Sequence, residues 1–239
     1  IPVVIYMTMN VYSLRDLAKL SLRELSHIDP SSLLSGSPIG KVFIRLLNQE
    51  SIVAIMCPCK AIKRRLEEVG VIPEKLFVLP IPFDKDELLC VGDEIAKVSY
   101  ETVKEELGFD RGDFVCTYFG KASTSRGTDT ILKAMKLLRN RGKNSVRCLM
   151  LLRERGATSS DTLFLTKMAK QFCVLDRVRM MHGIIPRRTL IRLLALSDVV
   201  ALPFKILFSE PPLTVLESMA LAKPVISCRI SCLIDLLSG

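Results

Sequence analysis

A loop that carries two glycines and two cations is the first segment whose residue types could do chemistry. It runs from Gly120 to Gly127 and contains Lys121 and Arg126, five positions apart. Glycine allows a tight backbone that can approach a ligand closely, and two cations on one loop can hold a diphosphate from two sides. An exposed basic loop without a ligand would have the same composition. The loop alone leaves both interpretations open.

The second candidate segment joins two prolines to a predicted helix. Pro211 and Pro212 precede Leu213, and proline suits the first turn of a helix because its missing N–H is not needed there. The N–H groups of Leu213 and Thr214 would then point out of a helix N-terminus, which attracts anions such as phosphate. Glu217 shares their helix face and could accept hydrogen bonds from a ribose diol. A surface glutamate favoured in the first turn by the helix dipole is the alternative.

Short β-rich runs alternate with segments of helical period along the chain, and this alternation predicts an α/β fold with parallel sheets. Pro80 and Pro82 interrupt the pattern before Asp84. We therefore predict a boundary between a first domain, 1–84, and a second domain, 85–239. The second domain is typical of a Rossmann-like domain, whose ligand lies beyond the carboxyl ends of the strands.

The predicted elements follow this division. The first domain has predicted strands near Pro2–Thr8, Ser51–Met56 and Leu76–Leu79, and predicted helices near Ser13–Ser26, Ile39–Asn48 and Cys59–Gly70. A helical connection is predicted over Glu87–Gly108. The second domain has predicted strands at Phe114–Phe119, Val146–Leu152, Arg177–Met181, Asp198–Leu202 and Pro224–Ser227. Its predicted helices are Thr128–Arg141, Ser160–Phe172, Arg187–Leu196 and Leu213–Leu221.

The net charge of +9 is concentrated in the second domain, where the balance is +7 against +2 in the first. That excess suits a diphosphate, a nucleic acid or an acidic membrane. Aromatic residues make up only 6% of the chain, which disfavours a platform that stacks single-stranded bases. The eight cysteines form no C-x-x-C pair and only two histidines are present, so we expect no structural zinc and a reducing, cytoplasmic setting. No apolar run reaches the roughly 18 residues of a membrane span.

The two candidate segments, in this order, resemble motifs of glycosyltransferase family four. Its G-R-x-x-x-x-K-G loop resembles 120–127, and its E-G-F-G-L-P-x-L-E-A-M-A segment resembles 209–220. Further matches continue in family order at 53–66, 80–84, 176–183, 194–203 and 217–226. The resemblance implies a GT-B fold with two Rossmann-like domains, of which the N-terminal, acceptor-side domain is incomplete and the C-terminal domain binds the donor. It also leads us to expect a chain truncated at both ends.

The same resemblance implies a retaining enzyme that moves a sugar from a nucleoside-diphosphate sugar to a carbohydrate, lipid-linked or other small acceptor, with no required cofactor and no metal. It implies that Lys121 and Arg126 bind the diphosphate. Lys121 stands at the family's arginine position and Arg126 at its lysine position. The resemblance assigns Glu217 to the donor ribose, and Ile184 and Ile185 to the base. The remaining donor-binding candidates are Gly120, Ser209, Glu210, Leu213 and Thr214.

Besides Pro211 and Pro212, which replace a phenylalanine and a glycine of the family segment, two departures bear on catalysis. Ser209 falls where the first glutamate of the segment is expected, so Glu210, one position later, is the candidate substitute. Asn10 stands where many members place a histidine, and asparagine can form hydrogen bonds but cannot act as a base. The catalytic candidates are therefore Lys121, Arg126, Glu210 and Asn10.

Other functions stay open at this stage. The chain could be a non-catalytic nucleotide- or nucleic-acid-binding α/β module, or an inactive piece of a glycosyltransferase; our prediction includes no nucleic-acid partner. The predicted helix Ser13–Ser26 places leucines on one face and Arg15, Lys19 and Arg23 on another. Such a helix can rest on an anionic membrane, so peripheral contact with the inner membrane face is one hypothesis and a solvated helix face is the other.

Overall fold

The computed structural model describes residues 2–7, 38–86, 88–89, 100–153, 160–207 and 211–237. The strands are β1 (Val3–Tyr6), β2 (Ile52–Cys57), β3 (Leu76–Val78), β4 (Phe114–Gly120), β5 (Val146–Leu152), β6 (Val178–His182), β7 (Val199–Leu202) and β8 (Val225–Ser227). The helices are α1 (Pro38–Leu47), α2 (Lys60–Glu68), α3 (Tyr100–Glu106), α4 (Thr128–Asn140), α5 (Ser160–Gln171), α6 (Arg187–Ala195), α7 (Leu213–Ala220) and α8 (Cys232–Leu237).

These bounds confirm the predicted alternation of strands and helices. Each predicted strand, and each predicted helix of the second domain, ends within two residues of its expected position. Within the predicted connection Glu87–Gly108 the structure has α3, while α8 was not predicted. The predicted helix Ser13–Ser26 lies outside the described residues.

The chain forms two compact units. The first takes its described residues from Ile1–Pro82, Ile206–Pro212 and Arg229–Gly239, and the second from Phe83–Lys205 and Leu213–Cys228. The division of acceptor-side and donor-side roles between 1–84 and 85–239 stays a prediction.

The first unit is built on a parallel sheet in the order β1-β2-β3. Its last segment returns to this sheet's helices, because α8 packs on α2. The carboxylate of Asp235 accepts a hydrogen bond from the Ala61 N–H at 3.1 Å and one from Arg64 Nη2 at 3.3 Å. An N–H in the first turn of a helix has no partner within the helix. Asp235 therefore supplies that partner to α2 from a distant part of the sequence.

The second unit is built on a five-stranded parallel sheet in the order β6-β5-β4-β7-β8. Strands β4 and β5 pair along their whole length, from Phe114 opposite Val146 to Gly120 opposite Leu152. Both strands are nearly continuous apolar runs, which is typical of parallel strands covered on both faces. Several of the largest fully buried side chains of the unit, Tyr118 and Leu149 among them, lie on these two strands.

The strand order of this sheet reverses at β4. The chain moves from β4 through β5 to β6 on one side, and then crosses to β7 and β8 on the other side. In open parallel sheets, ligands bind beyond the carboxyl ends of the strands where the order reverses. The loop 120–127 directly follows β4, so the fold brings this predicted loop to that point.

Within the part of the chain that the structure describes, none of the helices has the length and apolar character needed to cross a membrane.

Candidate functional site

The loop after β4 is held by its own hydrogen bonds. The hydroxyl of Tyr118 donates to the Lys121 carbonyl oxygen at 2.6 Å, and the Ser123 N–H donates to the same oxygen at 2.9 Å. The Ser123 and Ser125 hydroxyls lie 2.7 Å apart, and the Thr128 hydroxyl donates to the Ser123 carbonyl at 2.9 Å. These bonds fix the backbone while the Lys121 side chain remains exposed. A cation on a fixed backbone suits the predicted role in anion binding.

This loop packs closely against the loop that follows β7. Gly127 has φ +79°, and a Cβ at that position would lie 1.9 Å from the Pro203 carbonyl oxygen. The Lys205 N–H donates to the Ser125 carbonyl oxygen at 3.0 Å. The guanidinium carbon of Arg126 lies 5.4 Å from the centre of the Phe204 ring, within the range of a cation–π contact. Arg126 is therefore restrained by a residue from the neighbouring loop.

A buried carboxylate lies behind the two loops and was not among the predicted site residues. Asp129 is 5% exposed, and its Oδ2 lies 3.0 Å from Lys133 Nζ and 3.1 Å from Lys205 Nζ. It lies in the first turn of α4, where the helix dipole favours a negative charge. The four-residue spacing of Asp129 and Lys133 on one helix face could have predicted their ion pair from the sequence, whereas the pairing with Lys205 depends on the fold.

A cavity of about 280 Å³ opens beyond the carboxyl ends of β4, β5 and β6. It joins three residues that the sequence predicted to bind the donor, Ile184, Ile185 and Glu217. Ile184 is 88% exposed, so a solvent-exposed apolar side chain lies at the cavity. The other lining residues are Phe119, Leu151, Arg153, Arg187 and Leu190. Sequence reasoning missed the two arginines, because each is separated by at least 30 residues from the glutamate that shares the cavity.

Glu217 is paired with one of these arginines. Its Oε1 lies 3.0 Å from Arg187 Nη1, and its side chain is 12% exposed. Arg187 is the first residue of α6 and Glu217 lies in α7. The ion pair therefore joins the first residue of α6 to the second turn of α7 at the wall of the cavity.

The first turn of α7 lies one turn before Glu217. Leu213 is exposed, and the Thr214 hydroxyl is buried without a hydrogen-bond partner among the described residues. The hydroxyl of Thr124, in the loop after β4, is buried and unpartnered in the same sense. Buried hydroxyls usually have a partner. The two unpartnered hydroxyls thus lie in the two segments that the sequence predicted to bind phosphate.

The remaining predicted residues are placed as follows. Gly120 ends β4 with φ +151°, and its carbonyl oxygen accepts the Arg153 N–H at 2.8 Å beside the cavity. Lys121 and Arg126, in the loop after β4, are not among the residues that line the cavity. Asn10, Ser209 and Glu210 lie outside the described residues. Among the described residues, no group of three or more histidine, cysteine or acidic side chains is arranged to hold a metal ion.

Two thiols in the sheet beneath the site are held in their neutral form. Burial raises the pKa of the Cys116 thiol to about 11 and raises that of Cys148 well above its usual range. These residues face each other across β4 and β5. A thiol that keeps its proton at neutral pH is a poor nucleophile, so neither cysteine is a candidate for covalent catalysis.

Several solved structures have a similar fold. Anabaena HepE in complex with UDP matches with a TM-score of 0.73 and 16% identity, over 98% of this chain and 55% of that chain. A UDP-forming α,α-trehalose-phosphate synthase from Burkholderia xenovorans matches with a TM-score of 0.70 and 14% identity, over 99% and 55%. A glycosyltransferase from Rickettsia africae matches with a TM-score of 0.66 and 15% identity, over 83% and 50%. The predicted GT-B fold is thereby confirmed.

The chain spans about half the length of these structures. A sequence search of the curated proteins finds no match. Residues 99–237 match the family described as glycosyl transferases group 1, and this match includes every described residue of the cavity and of the loop after β4. Because the match covers more than half of the sequence, the chain belongs to the group 1 glycosyl transferases.

Proposed function

We propose that this chain is the nucleotide-sugar-binding part, with some of the acceptor part, of a retaining glycosyltransferase. The reaction would move a sugar from a nucleoside-diphosphate sugar to an acceptor with retention of its anomeric configuration. The observation that carries the proposal is the cavity beyond the strand ends, where Ile184, Ile185 and Glu217 meet. Membership in the group 1 glycosyl transferases supports the same class of reaction.

The donor nucleoside would occupy this cavity. Its base would lie against the Ile184–Ile185 segment, and its ribose hydroxyls would donate to the Glu217 carboxylate. Anabaena HepE has been solved with UDP and with UDP-glucose, and the Burkholderia xenovorans synthase forms UDP. Uracil is therefore the first base to test.

The diphosphate would lie between the loop after β4 and the first turn of α7. Lys121 and Arg126 offer positive charge there, and the N–H groups of Leu213 and Thr214 belong to a helix N-terminus. Phosphate oxygens would also give the buried hydroxyls of Thr124 and Thr214 the partners they lack among the described residues. This fit between unmet hydrogen-bonding groups and an anion supports the location.

The cations would also assist the reaction. Negative charge develops on the leaving diphosphate as the bond to the sugar breaks, and prearranged positive groups stabilise that charge. We assign this role to Lys121 and Arg126 and propose that no metal or other cofactor is required. Glu210 and Asn10 remain our candidates for contacts with the transferred sugar and the acceptor.

Calorimetric titration with UDP, GDP and ADP tests the donor site directly. We expect one nucleotide to bind selectively to the wild-type chain, and both Lys121→Ala and Glu217→Ala to weaken that binding at least about tenfold, the value of one hydrogen bond to a charged group. Lys167→Ala is the matched control, because Lys167 is an exposed lysine of the same unit on α5. It should leave the affinity unchanged.

Absence of binding to all three nucleotides by a folded protein would refute the donor site. Equal weakening by Lys167→Ala and Lys121→Ala would show that general charge, and not a built site, attracts the nucleotide. Tight binding of nucleic acid that falls steeply with salt would instead indicate many phosphate contacts and a nucleic-acid-binding module.

The acceptor class comes from the family resemblance, and the location comes from the cysteine content and from the basic helix predicted at Ser13–Ser26. We propose a carbohydrate, a lipid-linked molecule or another small acceptor, and a cytoplasmic protein with peripheral contact to the inner membrane face. Sedimentation with anionic vesicles tests the membrane contact, which a protein that stays in the supernatant would rule out.

A further inference from the structure

An arginine begins helix α6 where the helix dipole does not favour it. The N-terminus of a helix carries partial positive charge, so a cation there is unfavourable by itself. Helix α6 begins with Arg187 and Arg188 and has no acidic residue in its first turn. Arg187 instead finds its partner on another helix, since its Nη1 lies 3.0 Å from Glu217 Oε1. A cation that is unfavourable at its own helix end but has a specific partner on another helix points to a function for the pair.

The surroundings of the pair strengthen its attraction. Glu217 is 12% exposed and Arg187 is 41% exposed. The cavity walls beside them are mostly apolar, and include Phe119, Leu151 and Leu190. Charges interact more strongly where water is partly excluded. The pair should therefore be better ordered than a fully exposed salt bridge.

Holding one carboxylate oxygen restricts the rotation of the whole group. A glutamate side chain has three rotatable bonds, and an unheld carboxylate would sample several orientations before it met a ligand. With Oε1 held by Arg187, the carboxylate is already oriented at the cavity wall. A ligand hydroxyl that donates to it then avoids most of the ordering cost.

We propose that Arg187 is a positioning residue for ribose recognition. It orients the Glu217 carboxylate toward the 2′ and 3′ hydroxyls of the donor, and so allows the site to prefer ribonucleotides over 2′-deoxyribonucleotides. This inference rests on the proposed function, because it concerns the nucleotide of the same site.

Paired titrations with UDP and 2′-deoxy-UDP test the inference. We expect the wild-type chain to prefer UDP about tenfold, as one hydrogen bond to a carboxylate would give. Arg187→Ala should reduce this preference to less than about threefold, mainly because it weakens the binding of UDP. Arg187→Lys keeps the charge and should restore part of the preference. Arg188→Ala, which removes the neighbouring arginine outside the cavity, should leave the ratio unchanged.

The ratio of the two affinities separates positioning from a merely structural role. Damage to the fold would weaken the binding of both nucleotides equally and would leave the ratio of their affinities unchanged. The inference is overturned if Arg187→Ala keeps the wild-type ratio while Glu217→Gln abolishes it, and in that case the donor site itself stands. A folded wild-type chain that binds neither nucleotide overturns the donor site as well, so the two failures are distinguishable.

Discussion

Replacement of Gly127 by alanine should disrupt the contact between the loop after β4 and the loop after β7. Gly127 has φ +79°, and its added Cβ would lie 1.9 Å from the Pro203 carbonyl oxygen, 2.7 Å from its carbonyl carbon and 2.8 Å from its Cγ. Two of these atoms belong to the backbone, which cannot rotate away as the end of a flexible side chain can. One of the two loops must therefore move.

The size of the effect follows from two separate costs. A residue with a Cβ loses about 1 kcal/mol in the left-handed conformation. Overpacking that forces a backbone shift costs a further 1–3 kcal/mol or so. We therefore expect Gly127→Ala to lower the free energy of unfolding by about 2–4 kcal/mol.

Gly142 provides the matched control at the other end of the same helix. It follows α4 with φ +67°, and a Cβ there would meet no atom within 4 Å. Gly142→Ala should thus lower the free energy of unfolding by the conformational cost alone, about 1 kcal/mol. The difference between the two variants isolates the clash with Pro203.

Urea unfolding followed by circular dichroism gives both free energies, and titration with UDP gives the effect on the site. Gly127→Ala should also weaken nucleotide binding, because the displaced loop carries Lys121 and Arg126. Equal destabilisation by Gly127→Ala and Gly142→Ala would refute the reasoning, since the close approach to Pro203 would then contribute nothing.

Two further predictions concern buried groups of the second unit. Asp113 is 4% exposed, and its Oδ2 lies 2.8 Å from Arg147 Nε. Asp113→Ala should therefore lower the free energy of unfolding, measured in urea, by about 3 kcal/mol, because it leaves the arginine without its main partner. Asp110, 87% exposed, lies 3.6 Å from the same arginine, so Asp110→Ala should cost less than about 1 kcal/mol; similar losses in both variants would contradict this assignment. Burial raises the pKa of the Cys116 thiol from 9.0 to about 11. The unfolded chain therefore loses this proton at a lower pH than the folded chain does. The free energy of unfolding should fall as pH rises between these two pKa values, by at most about 1.4 kcal/mol per pH unit. The fall should be smaller in Cys116→Ala, and an identical pH profile in that variant would show that other groups cause it.

Local signals in the sequence were sufficient for the order of elements. Each strand of the second unit is a short apolar run, and each helix between them shows helical period, so neighbours in sequence determine the type of element. The strand ends followed from these runs, which is why the loop after β4 could be proposed as a ligand site before its geometry was known. Its glycines and cations are adjacent in sequence and needed no tertiary information.

Contacts between distant segments could not be obtained in this way. Arg187 pairs with Glu217 across 30 residues, and Lys205 reaches Asp129 across 76. Arginine and lysine are common on exposed surfaces, so residue type gave no sign of these partners. The sequence indicated that Gly127 allows a close approach of the backbone, but it did not indicate that the Pro203 carbonyl is the group that lies against it.

The sequence by itself therefore determined the α/β class, the strand and helix order, and which segments are candidates for binding phosphate and ribose. These depend on periodicity and on residues close together in the chain. Only the tertiary structure decided which charges meet, because the sheet order β6-β5-β4-β7-β8 brings together loops that are far apart in sequence. The physical reason is that an ion pair or a close backbone contact depends on distances of a few ångströms, and the packed sheet sets those distances.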